Sequence, residues 1–287
     1  MAPYRGMDVG ELEVQYDARA TVDDIQPYLD RYRGLTDDAK ARLDCHVDVS
    51  FGVTPEELMD IFPAGPEAPA FVFIHGGYWR LLSKDDGGFM APALARAGIA
   101  TVAVNYALAP HVSLAEITRQ CRAAVAHLWT HAERFGIDRN RIFVGGSSAG
   151  GHLAAMVAAR NWQADHDLPG TAVAGAIPVS GLFDLEPLRH CHQDAWLSLD
   201  DASIAALSPI RHVPDAGCPM LVAWGEHETA EFARQSRDFA AAWAAKGGAV
   251  ETLEVSGRNH FDVILDLADP DTTLARRTVA LIRTGKL

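Results

Sequence analysis

Four stretches, far apart in the chain, carry groups able to do acyl-transfer chemistry. Gly146-Ser147-Ser148-Ala149-Gly150 fits the pattern G-x-S-x-G, in which a serine sits on a tight strand-to-helix turn and glycines two residues to either side relieve crowding. Only Ser148 fits the register, because a pattern centred on Ser147 puts Ala149 where the second glycine belongs. Ser147 reads as a packing or hydrogen-bonding neighbour. A serine hydroxyl is a weak nucleophile unless a base takes its proton, and the base must itself be oriented by an acid. His260, in Gly257-Arg258-Asn259-His260-Phe261, is the candidate base, singled out among twelve histidines by its place after the last strand-like segment. Glu228, in Gly225-Glu226-His227-Glu228, is the candidate acid because it lies beyond the tight turn, where it can lean toward a site. Glu226 competes with it, and Asp184 is a third candidate. In His75-Gly76-Gly77-Tyr78-Trp79 the glycines let backbone N–H groups face an anion. Gly76 and Gly77, with the N–H of Ala149 after the nucleophile, are therefore the candidate oxyanion donors.

Each stretch follows a segment that reads as a buried strand. Such segments fall at residues 70–75, 99–104, 141–144, 174–179, 220–224 and 250–255, with helical stretches between them. This alternation predicts a mostly parallel sheet covered by helices on both faces, with the ligand site at the carboxyl ends of the strands. The clearest helix is 114–135, where Leu114, Ile117, Cys121, Val125, Leu128, Ala132 and Phe135 repeat at steps of three and four. Ala149 to Ala159 suits a helix packed closely on the sheet. Residues 43–51 and 57–62 read as two antiparallel edge strands joined by a turn at 52–55. Residues 1–41 are polar and partly helical, an arm leading into the domain, with an amphipathic stretch over 22–41 interrupted at Pro27 and Gly34. A single domain over 1–287 is expected.

Composition narrows the class of function. Lys plus Arg total 25 against 38 Asp plus Glu, a net charge of −13, which leaves no electrostatic footprint for nucleic acid. The four cysteines, Cys45, Cys121, Cys191 and Cys218, show no C-x-x-C spacing, so neither a zinc site nor a disulfide framework is expected. No apolar run approaches the ~18 residues of a membrane span, and the first residues lack an apolar signal core. A cytoplasmic location is the default expectation, with no membrane partner. His127 and His131 sit one helical turn apart, and His190 and His192 flank Cys191, yet neither pair has a third ligand in the sequence. No metal or other cofactor is expected. His152, one turn past the nucleophile, reads as a packing residue.

The order serine, acid, histidine is that of the α/β-hydrolases. Within them the sequence resembles the arylformamidases, or kynurenine formamidases. The resemblance rests on Tyr16-Asp17-Ala18-Arg19, the HGGxW form of 75–79, Asn105-Tyr106-Ala107-Leu108-Ala109-Pro110, the elbow, Ser180-Gly181-Leu182-Phe183-Asp184-Leu185, Ser208-Pro209-Ile210 and the stretch from Glu228 to Ser236. The elbow and His-Gly-Gly loop are common to many esterases and lipases. The tryptophan of HGGxW and the residues after Glu228 are more particular to formamidases, which commonly carry aspartate at the position of Glu228. The resemblance implies the α/β-hydrolase fold, with an eight-stranded and mostly parallel sheet. It also implies cleavage of N-formyl-L-kynurenine or a related aryl formamide through a Ser148-Glu228-His260 triad and a formyl-enzyme intermediate. Tyr78, Trp79 and Phe183 are the expected walls of the substrate pocket, and 189–199, less typical of the family, is a further candidate for its lining. The alternatives are a carboxylesterase with the same triad and a non-catalytic ligand-binding protein of this fold. Oligomeric state stays open, a homodimer included.

Overall fold

The computed structural model describes residues 3–159 and 161–287. Eight strands form one sheet: β1 (His46–Ser50), β2 (Leu58–Phe62), β3 (Ala68–Ile74), β4 (Ala100–Val104), β5 (Ile137–Ser147), β6 (Gly175–Val179), β7 (Met220–Gly225) and β8 (Val250–Val255). Their order is β1-β2-β4-β3-β5-β6-β7-β8. β1 and β2 are antiparallel, as is β2 beside β4, and the pairs from β4 to β8 are all parallel. Parallel neighbours require crossovers, and those crossovers cover both faces. Strand alternation divides the core accordingly. Val72 and Ile74 pack with Leu114, Ile117, Leu153, Phe232 and Trp243 on one side, whereas Phe71 and Phe73 pack with Tyr32, Leu94, Leu274 and Ile282 on the other.

The helix Leu114–His131 begins at Ser113, whose side chain accepts the N–H of Glu116. It continues as a 3₁₀ turn, Ala132–Phe135, and stops at Gly136 in the left-handed region with φ 67°. The expected interruptions at Pro27 and Gly34 do not occur: one helix runs over Gln26–Arg42. Pro27 lies in its first turn, where the missing N–H costs no helical bond. Gly34 faces open space, and the buried Tyr32, Thr36 and Ala39 around it anchor the helix despite the ~1 kcal/mol that glycine costs relative to alanine.

That helix is also fixed by charge. Asp60, fully buried on β2, is held by Lys40 at 2.6 Å and Lys84 at 3.0 Å, and Arg33 pairs with Asp86 at 3.0 Å. A buried carboxylate held by two ammonium groups strongly resists removal of either partner. The network presses the helix against the segment after β3, over the carboxyl ends of the central strands.

Candidate active site

β5 runs to Ser147, Ser148 turns sharply at φ 58° and ψ −119°, and the helix Ala149–Ala158 begins at the next residue. A non-glycine residue at positive φ is strained and must be held by its surroundings. Here the Ser148 N–H donates to the Val179 carbonyl at 2.9 Å, and its carbonyl accepts from His152 at 3.0 Å. The flanking glycines answer a close approach of chain to chain. A Cβ on Gly146 would lie 2.4 Å from the Gly150 carbonyl oxygen, and one on Gly150 would lie 2.0 Å from that of Ile74.

At the end of β7 the carboxylate of Glu228 turns inward and its side chain is 1% exposed. One oxygen accepts from the Gly225 N–H at 2.6 Å and from the Ser180 hydroxyl at 2.5 Å; the other meets His260 Nδ1 at 2.8 Å. This fixes the imidazole ring and, with Nδ1 carrying the proton toward the carboxylate, leaves Nε2 to accept one. Glu226 instead caps the loop after β8, accepting from Ser256 Oγ and Gly257 N–H at the surface. Asp184 accepts from Tyr4. Of the three candidate acids, Glu228 is the one bonded to His260. His260 is buried and lines the same cavity as Ser148. Ser180, which sits at φ 51° at the end of β6, was given no role from sequence; its signals were a small hydroxyl residue at a strand's carboxyl end and its place at the head of a stretch that carries the resemblance.

The loop after β3 is held by Tyr106. Its hydroxyl donates to the carbonyls of His75 at 2.9 Å and Gly76 at 3.2 Å, and its ring stacks on His75 at 4.0 Å. In a planar trans peptide, a carbonyl held on one side directs the following N–H to the other. The N–H groups of Gly76 and Gly77 thus face away from Tyr106, and no backbone carbonyl among the described residues accepts them. Gly77 needs its φ of 95°, and a Cβ on Gly76 would sit 3.4 Å from that of Ser148. Ala149, the first residue of its helix, offers an N–H with no intrahelical acceptor. Burial pushes His75 down to about 4, so its ring stays neutral, a packing piece of this loop.

Ser148, His260, Gly76 and Gly77 line one cavity of about 360 Å³, the size of a small-molecule site. Of the expected wall residues only Tyr78 reaches it. Trp79, at φ 58° immediately after Tyr78 at φ 49°, is fully buried and packs edge-on against His152. Phe183 is likewise core, stacked on Phe239 at 4.2 Å, with its N–H held by Gln235. The other walls come from elsewhere: Leu29 and Tyr32 of the helix Gln26–Arg42, Phe89, Trp196 and Phe261. Segment 189–199 contributes His192, Gln193 and Trp196.

The N-terminal arm braces this wall. The carbonyl of Tyr16, last residue of the helix Val9–Tyr16, accepts from the Tyr78 hydroxyl at 2.5 Å and from Gln193 at 3.1 Å. Its hydroxyl donates to Glu231 at 2.7 Å, and Thr229, next to Glu228, donates to the Gln15 carbonyl at 2.6 Å. The remaining histidines of interest are packed or exposed. His152 is buried, bonds to the Leu207 carbonyl at 2.7 Å and is pushed by burial to about 4, while His192 pairs with Glu13. Among the described residues no group of three or more His, Cys, Asp or Glu is arranged to hold a metal, and no helix is long and apolar enough to cross a membrane.

Residues 59–243 match a family described as BD-FAE. The chain is 30% identical to a kynurenine formamidase of Danio rerio over 98% of its own length and 99% of the fish protein. It is 28% identical to esterase LipC of Mycobacterium tuberculosis, over 75% of this chain and 60% of that one. Among solved structures, a Silicibacter protein described as a candidate thioesterase superposes with a TM-score of 0.80 at 29% identity, covering 96% of this chain and 99% of that one.

Proposed function

The chain belongs to the kynurenine formamidase family of the α/β-hydrolases, and from that premise we propose that it cleaves N-formyl-L-kynurenine, or a related aryl formamide, to the arylamine and formate. The observation that carries this reading is His260, bonded to the buried carboxylate of Glu228 and lining one cavity with a serine held at a strained elbow. Ser148 Oγ attacks the formyl carbon as His260 Nε2 takes its proton, and Glu228 stabilises the resulting imidazolium. The tetrahedral oxyanion falls to the N–H groups of Gly76 or Gly77 and Ala149, each donor worth roughly 3 kcal/mol. His260 then delivers its proton to the arylamine nitrogen, the C–N bond breaks, and a formyl ester remains on Ser148. Water attacks this ester with His260 again as base, releasing formate and restoring the serine.

His260 bonds to Glu228 through Nδ1, which leaves Nε2 for the proton of Ser148 on the same cavity. The mostly apolar aromatic wall suits an aryl leaving group. Carboxylester hydrolysis is the second reading, favoured by the esterase among the relatives, and it uses the same steps with an alcohol leaving. Incubation with N-formyl-L-kynurenine should yield formate and L-kynurenine in equal amounts. Absence of both products, while a simple ester is still cleaved, would hand the function to the second reading.

A further inference from the structure

The cavity that holds Ser148 and His260 also carries charge at positions the acyl chemistry does not use. Its charged lining comprises Asp17, Arg19, Arg80 and Asp86. Asp86 is already neutralised, with Arg33 Nε at 3.0 Å and the Ser83 N–H at 3.0 Å. Arg33 is tied to Asp86, but neither Arg19 nor Arg80 has a carboxylate partner among the described residues.

Arg80 is nonetheless held in place. Its guanidinium carbon lies 4.8 Å from the centre of the Trp196 ring, and the Trp196 indole N–H donates to the Tyr78 carbonyl at 3.0 Å. A guanidinium stacked on an aromatic face is pre-organised while its N–H groups stay available to a planar anion. Arg19 follows Asp17, whose side chain accepts the Arg19 N–H at 3.1 Å, so this part of the arm is ordered too. A chain of net charge −13 repels small anions over most of its surface, so an anionic substrate group depends on the arginines of the cavity lining to hold it.

We propose that Arg80, assisted by Arg19, is the residue that binds the carboxylate of the substrate and so sets the preference for it. Asp17 on the same lining suits the ammonium group that accompanies such a carboxylate. The proposal rests on the formamidase reading for its substrate but not for its test, which is made on product binding. Titration calorimetry on the intact chain compares L-kynurenine with kynuramine, which keeps the ring and amine and lacks the carboxylate. A charge-assisted bidentate contact should make L-kynurenine bind about tenfold tighter or more. In Arg80→Gln the two affinities should come within about twofold of one another, kynuramine binding staying near its original strength, and Arg80→Lys should give an intermediate ratio. Equal affinities in the unaltered protein, or a preference undiminished in Arg80→Gln, overturn the assignment. If no formate is released from N-formyl-L-kynurenine, the formamidase reading fails while this ratio still decides the role of Arg80.

Discussion

Ser148→Ala should lower kcat for formamide and ester substrates by about 10⁴-fold or more, and His260→Ala should do the same. The expectation follows from the division of labour in the cavity. Without the hydroxyl there is no atom to form the acyl ester; without the imidazole the hydroxyl keeps its proton and the leaving amine receives none. Because both act in one proton transfer, the double variant should be scarcely slower than either single one, the residual rate coming from binding and the oxyanion donors. Alanine retains the Cβ of serine, so the elbow at φ 58° is no more strained than before and the variant should fold and bind L-kynurenine normally. Turnover by either variant within tenfold of the original would remove that residue from the mechanism.

Glu228→Gln should cost about 10³- to 10⁴-fold in kcat, whereas Glu226→Gln should change it less than about twofold. The isosteric amide can still accept from Gly225 and Ser180 through its oxygen. Its NH₂ then faces His260 Nδ1, a donor where an acceptor stood, and forces the proton of the neutral ring to Nε2. In that tautomer Nε2 cannot take the proton of Ser148. Glu226, tied to Ser256 and Gly257 at the surface, touches none of this. Steady-state kinetics of both variants on one substrate check the pair, and the reverse ranking would transfer the acid role to Glu226.

Much of the chemistry was legible because it rests on local pattern. The elbow requires small residues at Gly146 and Gly150 wherever a strand turns into a helix this close to its neighbour, and the strand-helix alternation ordered the loops in which Glu228 and His260 lie. Side-chain direction was not legible. Tyr78 and Trp79 are adjacent, but consecutive left-handed residues send one to the cavity and the other against His152. Phe183, expected in the pocket wall, lies flat on Phe239 in the core. The helix Gln26–Arg42 carried an apolar stripe that reads alike whether it covers a core or a cavity, so Leu29 and Tyr32 gave no sign of lining the site. Its buried anchors at Asp60 and Asp86 lie elsewhere in the chain, and the charges of Lys40 and Arg33 acquire meaning only when the helix is laid against them.

The central claim is that this serine triad serves an aryl formamide in preference to an ester. Its most direct test is kcat/KM for N-formyl-L-kynurenine beside p-nitrophenyl acetate and butyrate, each with Ser148→Ala as the blank. The account predicts that the formamide is the preferred substrate and that turnover of all three disappears in the variant. Efficient ester cleavage with negligible formamide cleavage, lost in the same variant, would contradict it and make the chain an esterase built on a formamidase frame.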